Sequence, residues 1–68
     1  MNLRIDLEQE DDGRWVAEVV DLSGVMAYGK DRKQALALVQ ALALRVLADR
    51  LEHGEAEPDL INVSFQAA

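Results

Sequence analysis

One uninterrupted helix-forming run constrains this chain more than any other feature of its sequence. Residues 30–53 contain no glycine or proline, and most of them are alanine, leucine and valine. Ala and Leu are among the strongest helix formers. Asp31 is placed to cap the first turn, Gln34 three residues later completes a capping-box pattern, and Gly54 suits a left-handed C-cap. The sequence therefore predicts one long helix whose two ends are marked chemically.

The apolar side chains of this helix form a stripe that is wider than one sheet requires. At 100° per residue, the stripe comprises Leu36, Val39, Leu42, Ala43, Val46 and Leu47. Leu44 and Leu51 lie along one flank of it, and Leu38 stands apart among polar residues. Isolated exposed leucines are common on folded surfaces. In so small a domain, however, we interpret Leu38, Leu44 and Leu51 as an interface with a second chain.

The length of the chain and its lack of cysteine also indicate an oligomer. Its 68 residues predict one domain over residues 1–68, without cysteine. A domain of this size buries only about 60% of its unfolded surface, and neither a disulfide nor a thiolate-bound metal can reinforce it. We therefore expect a homodimer or homotetramer. Neither an apolar signal segment nor a membrane-spanning run is visible, so we expect a cytoplasmic protein.

The formal net charge of −6 is distributed unevenly along the chain. The acidic residues outside the predicted helix are Asp6, Glu8, Glu10, Asp11, Asp12, Glu18, Asp21, Glu55, Glu57 and Asp59. An acidic surface repels nucleic-acid phosphates and attracts basic partners, so we expect no direct binding to nucleic acid. Excess acid also keeps small proteins in solution. Charge alone leaves both interpretations open.

Alternation of apolar and polar residues predicts four strands around the helix. The predicted strands cover residues 3–8, 14–20, 25–29 and 60–66. Asp12-Gly13 is a typical hairpin dipeptide and predicts a tight turn between the first two strands. Residues 21–24 predict the second turn, and residues 55–59 an acidic connector after the helix. Trp15, Ala17 and Val19 alternate with Val16, Glu18 and Val20, which places these two sets on opposite faces of the second strand.

The element order β-β-β-α-β predicts an α+β fold. A three-stranded antiparallel meander is followed by a crossover helix and a fourth strand, which we place parallel to and beside the first strand. One helix covers only one face of such a sheet. The opposite face would carry the charged residues Arg4, Asp6, Glu8 and Glu18. Either Trp15 or Val16 must also point to this uncovered face, so some apolar surface remains there for a partner.

Several segments fall at spacings that are typical of one known family. Residues 12–19 read D-G-R-W-V-A-E-V and residues 21–25 read D-L-S-G-V, while Gly29 precedes the helix start that contains Ala35-Leu36. This arrangement resembles the HicB-like antitoxin family, whose pattern is roughly D-G-x-W/Y-x-A-x-V-P-D-L-P-G, then G-x-T/S and a helix opening with E-E-A. The resemblance covers nearly the whole chain and implies a partial RNase H-like β-β-β-α-β domain.

The chain departs from this family pattern at a few positions. Val20 and Ser23 replace the two usual prolines, Asp31 stands where a Thr or Ser cap is common, and Lys33-Gln34 replace an acidic pair. Asp caps a helix as well as Thr does, and the loss of proline mainly gives the unfolded chain more freedom. These substitutions leave the predicted fold unchanged.

The resemblance implies a function in binding another protein. HicB-like antitoxins bind a small, basic, RNA-cleaving toxin of the HicA type and occlude its active surface. Many of them also carry a C-terminal DNA-binding domain, and this chain ends after the fourth predicted strand, so we expect no operator binding of its own. From charge and aromatic character, we predict partner contacts at Asp11, Asp12, Trp15, Glu18 and Asp21. The alternative is an accessory or structural homo-oligomer without a toxin partner.

The sequence offers no convincing catalytic arrangement. His53 stands alone at the helix end, where it suits the macrodipole. Ser23 and Ser64 come without a base and an orienting group, and the glycines lie in turns rather than in a phosphate-binding loop, so we expect no cofactor. The acids nearest to a metal set are Asp6, Glu52 and Asp59. Two-metal chemistry needs ligands that converge on ions about 4 Å apart, and the predicted directions of Asp6 and Glu52 oppose this. We expect a non-enzymatic domain that binds no metal, and a metal-dependent nuclease remnant stands as a third alternative.

Overall fold

The computed structural model describes residues 1–55 and 62–67. Its elements are β1 (Asn2–Gln9), β2 (Trp15–Val19), β3 (Met26–Gly29), α1 (Arg32–Glu52) and β4 (Ser64–Ala67). The strands form one sheet in the order β3-β2-β1-β4, in which β1, β2 and β3 are antiparallel and β4 runs parallel to β1. The predicted β-β-β-α-β fold, the meander and the place of the fourth strand are all confirmed.

The bounds of the elements agree closely with the sequence prediction except at the last strand. β4 begins at Ser64, whereas the prediction began it at residue 60. Asn62 and Val63 precede the strand without belonging to it. Leu60 and Ile61, like the predicted connector after residue 55, lie outside the described residues. No helix in the described part of the chain is both long and apolar enough to cross a membrane.

The core lies between α1 and one face of the sheet. Its buried side chains are Leu3, Ile5, Ala17, Val19, Leu22, Val25, Ala35, Val39, Ala43 and Leu47. Val63 and Phe65 are partly buried and pack at its border. Leu22 is buried in the segment between β2 and β3, so this turn contributes to the core although its sequence predicts only a chain reversal. Val25, where the predicted third strand begins, is buried just before β3.

The buried stripe of α1 differs from the predicted one at the start of the helix. Ala35 is fully buried, and the next buried positions follow it at intervals of four residues. Leu36, Leu42 and Val46, which belong to the predicted stripe, are only half-buried. Ala35 lies against Gly29 of β3, because a Cβ atom placed on Gly29 would come within 2.8 Å of the Ala35 Cα. The backbone of α1 therefore passes so close to β3 that glycine is needed at position 29.

The N-terminus of α1 is capped by two side chains. Asp31 is the N-cap, and its Oδ1 atom accepts a hydrogen bond of 2.7 Å from the Gln34 N–H. The return bond differs from the predicted one, because Gln34 Oε1 accepts from the Lys30 N–H at 2.8 Å and not from Asp31. Two donors near the start of the helix are thus satisfied, and the chain that leaves β3 is tied to the first turn.

The C-terminus of α1 ends as the sequence predicts. Gly54 has a φ angle of +69°, which glycine adopts without steric cost. The Glu55 N–H donates to the Arg50 carbonyl at 2.7 Å, and the Gly54 N–H donates to the Leu51 carbonyl at 3.3 Å. This pair of bonds is a Schellman motif, which satisfies carbonyl groups of the last turn.

Candidate functional site

One face of the sheet is not covered by α1, and it carries the candidate binding surface. Successive side chains of a strand point to opposite faces, so the neighbours of the buried core residues point away from the helix. We call this surface the open face. Its residues are Asn2, Arg4, Asp6, Glu8, Val16, Glu18, Met26, Tyr28, Ser64 and Gln66. Val16 and not Trp15 therefore supplies the apolar side chain that we expected on this face.

Two carboxylates lie directly opposite each other at the centre of the open face. Asp6 on β1 pairs with Glu18 on β2. The Val20 N–H donates to the Arg4 carbonyl at 3.0 Å, and the alternation of the ladder then makes Asp6 and Glu18 a hydrogen-bonded pair, with Cα atoms about 5.5 Å apart. Like charges in such positions destabilise a sheet.

Within the described residues neither carboxylate of this pair forms an ion pair, and the basic residue Arg4 lies on the same face two positions before Asp6. The ion-pair contacts in that part of the chain are Arg14 with Asp12 and His53 with Asp49. Glu8 follows Asp6 on the same face and adds a third negative charge. The centre of the open face is therefore an acidic surface, formed by Asp6, Glu8 and Glu18, whose charges are open to a partner.

An apolar corner adjoins the acidic residues at the β3 edge of the open face. It consists of Val16, Met26 and Tyr28. Val16 pairs with Tyr28 across β2 and β3, and Met26 pairs with Glu18. Met26 and Tyr28 keep 44% and 45% of their surface exposed. The Arg14 guanidinium lies 4.8 Å from the centre of the Tyr28 ring, within the range of a cation–π contact.

The turn between β1 and β2 is organised by Asp12. Its carboxylate accepts hydrogen bonds from the Arg14 N–H at 3.0 Å and from Arg14 Nε at 2.8 Å. The backbone N–H is the main cause that lowers the pKa of Asp12, and the guanidinium adds to it. Gly13 supplies the positive φ of +93° that the turn needs. Asp12 thus has a local role in holding the hairpin and positioning Arg14.

The structure distributes the five predicted contact residues over several surfaces. Asp11 and Asp12 lie in the turn between β1 and β2, whereas Asp21 lies in the turn at the other end of β2. Trp15 is half-buried and packs against the core on the side of α1. Glu18 is the one residue of the five on the open face. The separation has a simple cause, because the two turns lie at opposite ends of β2 and because Trp15 and Glu18 point to opposite faces of that strand.

Asp21 and Trp15, two of the predicted contacts, have roles within the fold. Asp21 Oδ2 accepts a hydrogen bond of 2.8 Å from the Arg4 N–H, so its carboxylate extends the ladder at the end of β1. Trp15 has a packing role, whereas the exposed aromatic residue of the sheet is Tyr28. The sequence contained a signal for Tyr28, because Met26 and Tyr28 alternate with Ala27 and the buried Gly29.

The acids considered for a metal site are not brought together. Asp6 lies on the open face of the sheet, whereas Glu52 is the last residue of α1, on the other side of the sheet. The sheet therefore separates the two carboxylates. Asp59 lies outside the described residues. Among residues 1–55 and 62–67, no three His, Cys, Asp or Glu side chains are grouped closely enough to hold a metal ion, and no pocket opens there.

The three leucines predicted as an oligomer interface are exposed on α1. Leu38, Leu44 and Leu51 keep 45%, 50% and 39% of their surface accessible. Leu44 and Leu51 are seven residues apart and share one side of the helix, while Leu38 lies on another side. The small exposed Ala41 and Ala48 lie beside Leu44 and Leu51 on the outer surface of α1.

Comparisons with known proteins identify a structural relative. No protein-family model matches the chain, and no curated protein matches it. The crystal structure of hypothetical protein TTHA1013 from the extremely thermophilic bacterium Thermus thermophilus is similar over 100% of this chain and 93% of that chain, with 25% sequence identity and a TM-score of 0.59. This similarity supports the α+β fold described above.

Proposed function

We propose that this chain is a protein-binding domain of the HicB-like antitoxin type, which covers the active surface of a small basic RNA-cleaving toxin. The observation that carries the proposal is the pair formed by Asp6 and Glu18 on the open face. A like-charged cross-strand pair costs the free domain a few tenths of a kcal/mol to about 1 kcal/mol. A partner that places lysine or arginine side chains on this face removes the repulsion and gains from both carboxylates.

The chemistry of an RNA-cleaving toxin suits this acidic surface. A protein that binds RNA neutralises phosphates with basic side chains, so its active surface carries positive charge. Asp6, Glu8 and Glu18 offer negative charge on a surface built from rigid strands. An acidic surface of this kind competes with RNA for the same basic residues, which is how occlusion blocks cleavage. A cytoplasmic location, where RNA is available, follows from the same proposal.

Electrostatic steering gives the proposal a kinetic consequence. Complementary charge raises association rates, and the effect falls with ionic strength. The net charge of −6 therefore favours rapid capture of a basic toxin and opposes direct binding of this chain to nucleic acid.

The test is a pull-down of the tagged chain from native lysate, followed by an RNA-cleavage assay of the recovered protein. We expect a small basic protein to be recovered, and we expect the chain to suppress its RNA cleavage. The variant Asp6→Asn/Glu18→Gln should lose most of this binding at low salt. The matched control Asp49→Asn/Glu52→Gln removes the same charge from α1 and should bind normally. Recovery of no basic protein, or unchanged binding by the open-face variant, would contradict the proposal.

The exposed leucines of α1 favour a second candidate, an accessory or structural homo-oligomer without a toxin. If the pull-down recovers only further copies of this chain, the result supports the homo-oligomer. In that case Leu44→Lys/Leu51→Lys, which places charge on the shared side of the two leucines, should reduce the mass in sedimentation equilibrium. An unchanged mass would exclude these leucines as the interface.

A further inference from the structure

β3 is an edge strand, and its outer side offers unpaired backbone groups. In the order β3-β2-β1-β4 it has a neighbour on one side only. The Val19 N–H donates to the Val25 carbonyl at 3.0 Å, so residues 25, 27 and 29 direct their backbone groups toward β2. By the alternation of an antiparallel ladder, the N–H and C=O groups of Met26 and Tyr28 point away from the sheet. In the described part of the chain no element pairs with them.

β3 is short, with four residues, which is one way to protect an edge, but within the described residues it lacks the other usual devices. Exposed edges are commonly blunted by lysine or other charges, by proline, by a bulge or by a covering segment. Residues 25–29 read V-M-A-Y-G and contain neither charge nor proline, and β3 pairs in unbroken register with β2. Met26 and Tyr28 also expose nearly half of their side chains beside this edge. An uncharged, regular edge with apolar side chains is suited to pairing with another strand.

We infer that β3 pairs with β3 of a second copy of this chain, antiparallel and about a two-fold axis at Ala27. In this register Met26 of each copy lies opposite Tyr28 of the other. Both residues direct their backbone groups outward, so each copy presents donors and acceptors where the other needs them, and about four inter-strand hydrogen bonds form. The two sheets then become one continuous sheet, and both unprotected edges disappear.

The side chains around β3 favour a second copy as the occupant. A two-fold interface must be self-complementary. The Met26 thioether of one copy meets the Tyr28 ring of the other, which is a favourable sulfur–aromatic contact. On β2, Glu18 lies beside Met26, while Arg14 stacks on Tyr28. The two-fold axis therefore brings the Arg14 guanidinium, which also pairs with Asp12, toward Glu18 of the other copy at both ends of the interface.

This dimer uses the edge of β3, which the proposed toxin binding does not need, and Glu18, beside Met26, is the acidic residue that borders both surfaces. Asp6 and Glu8 lie on β1 and remain accessible in the dimer, because the joined edges are those of β3. Two acidic surfaces would then face the same side of one sheet. The interface also differs from Leu38, Leu44 and Leu51 on α1, so variants at the two surfaces separate the two routes to an oligomer.

Sedimentation equilibrium of the full chain and of two double variants tests the inference. We expect the unmodified chain to sediment with the mass of two chains. Met26→Lys/Tyr28→Lys should sediment as one folded chain, since the proposed register places lysine opposite lysine. Met26→Lys/Tyr28→Glu should keep the dimer, since the same register places lysine opposite glutamate. The control Leu44→Lys/Leu51→Lys should also keep the mass of two chains.

Hydrogen exchange of the unmodified chain provides a readout that needs no variant. The amides of Met26 and Tyr28 should be protected at high protein concentration and should exchange rapidly on dilution, whereas the amide of Ala27, bonded toward β2, should stay protected. A monomeric unmodified chain, a dimer that survives Met26→Lys/Tyr28→Lys, or outward amides that exchange fast at every concentration would each overturn the inference. A failed toxin pull-down leaves these measurements unaffected, so the two proposals fail separately.

Discussion

Gly29 on the sheet and Ala35 on the helix are in close backbone contact. A Cβ atom on Gly29 would lie 2.8 Å from the Ala35 Cα and nearer still to its backbone nitrogen. Both residues are buried, and the chain between them contains Asp31 and Gln34, which cap α1. The packing of the helix on β3 and the geometry of its first turn are therefore coupled through this one contact.

We predict that Gly29→Ala destabilises the domain by about 1–3 kcal/mol or more, because the added methyl group forces backbone to move in a packed site. Urea unfolding followed by circular dichroism measures the change. Gly13→Ala is the matched control, since its added Cβ meets nothing within 4 Å and only the positive φ of +93° opposes it, at a cost of about 1–2 kcal/mol. A Gly29→Ala variant as stable as the unmodified chain would show that the helix does not approach β3 so closely.

Removing one charge of the like-charged pair on the open face should increase the stability of the free domain. Glu18→Gln removes the repulsion with Asp6 and should stabilise the free domain by a few tenths of a kcal/mol to about 1 kcal/mol at low salt, with a smaller gain at high salt. Glu8→Gln is the control, because Glu8 lies opposite Val16 and not opposite another acid. A loss of stability on Glu18→Gln would mean that Glu18 has a favourable partner.

The same substitution is informative about function. Glu18→Gln should raise the stability of the free domain and weaken its binding to a basic toxin. A misfolded variant would not show this combination. If stability and binding fall together, the acidic surface serves the fold and not a partner.

The N-terminal cap of α1 predicts unequal effects of its two side chains. Asp31→Ala removes the acceptor for the Gln34 N–H and should cost about 1 kcal/mol, within the range of roughly 0.5–2 kcal/mol for such caps. Gln34→Ala leaves this bond in place and removes only the bond to Lys30, so it should cost less. Asp31→Asn keeps an acceptor and should be nearly neutral in thermal unfolding. Equal losses for Asp31→Ala and Asp31→Asn would point to the negative charge and not to the hydrogen bond.

The parts of this fold that depend on local chemistry were predictable from the sequence. Asp12-Gly13 in the first hairpin, Asp31 at the helix start and Gly54 at its end act through their nearest neighbours in the chain, and each has its expected place. The strand order followed from the short connections and the single long helix. These features needed no knowledge of which side chains meet across the core.

The features that depend on tertiary contacts were not predictable in the same way. Ala35 is buried and Leu36 is only half-buried, because the way α1 lies on the sheet, with the Ala35 backbone against Gly29, decides which row of its side chains faces the core. Leu22 enters the core from a turn. The opposition of Asp6 and Glu18 requires the register of β1 against β2, which hydrogen bonds across the hairpin determine.

The lowered pKa of Asp12 predicts that the stability of the fold depends on pH in the acid range. Its pKa is lowered from 3.8 in the folded chain, first by the Arg14 N–H and then by the Arg14 guanidinium. A group whose pKa is lower in the folded than in the unfolded state stabilises the fold above its unfolded pKa, and this contribution is lost as the pH falls through the folded value. In urea unfolding from pH 7 downward, the difference in unfolding free energy between the unmodified chain and Asp12→Asn should be constant at neutral pH and should shrink below about pH 4. Asp11→Asn is the control, since within the described residues no side-chain hydrogen bond involves Asp11. If the difference in unfolding free energy for Asp12→Asn did not change with pH, Arg14 would not stabilise the charged carboxylate of Asp12.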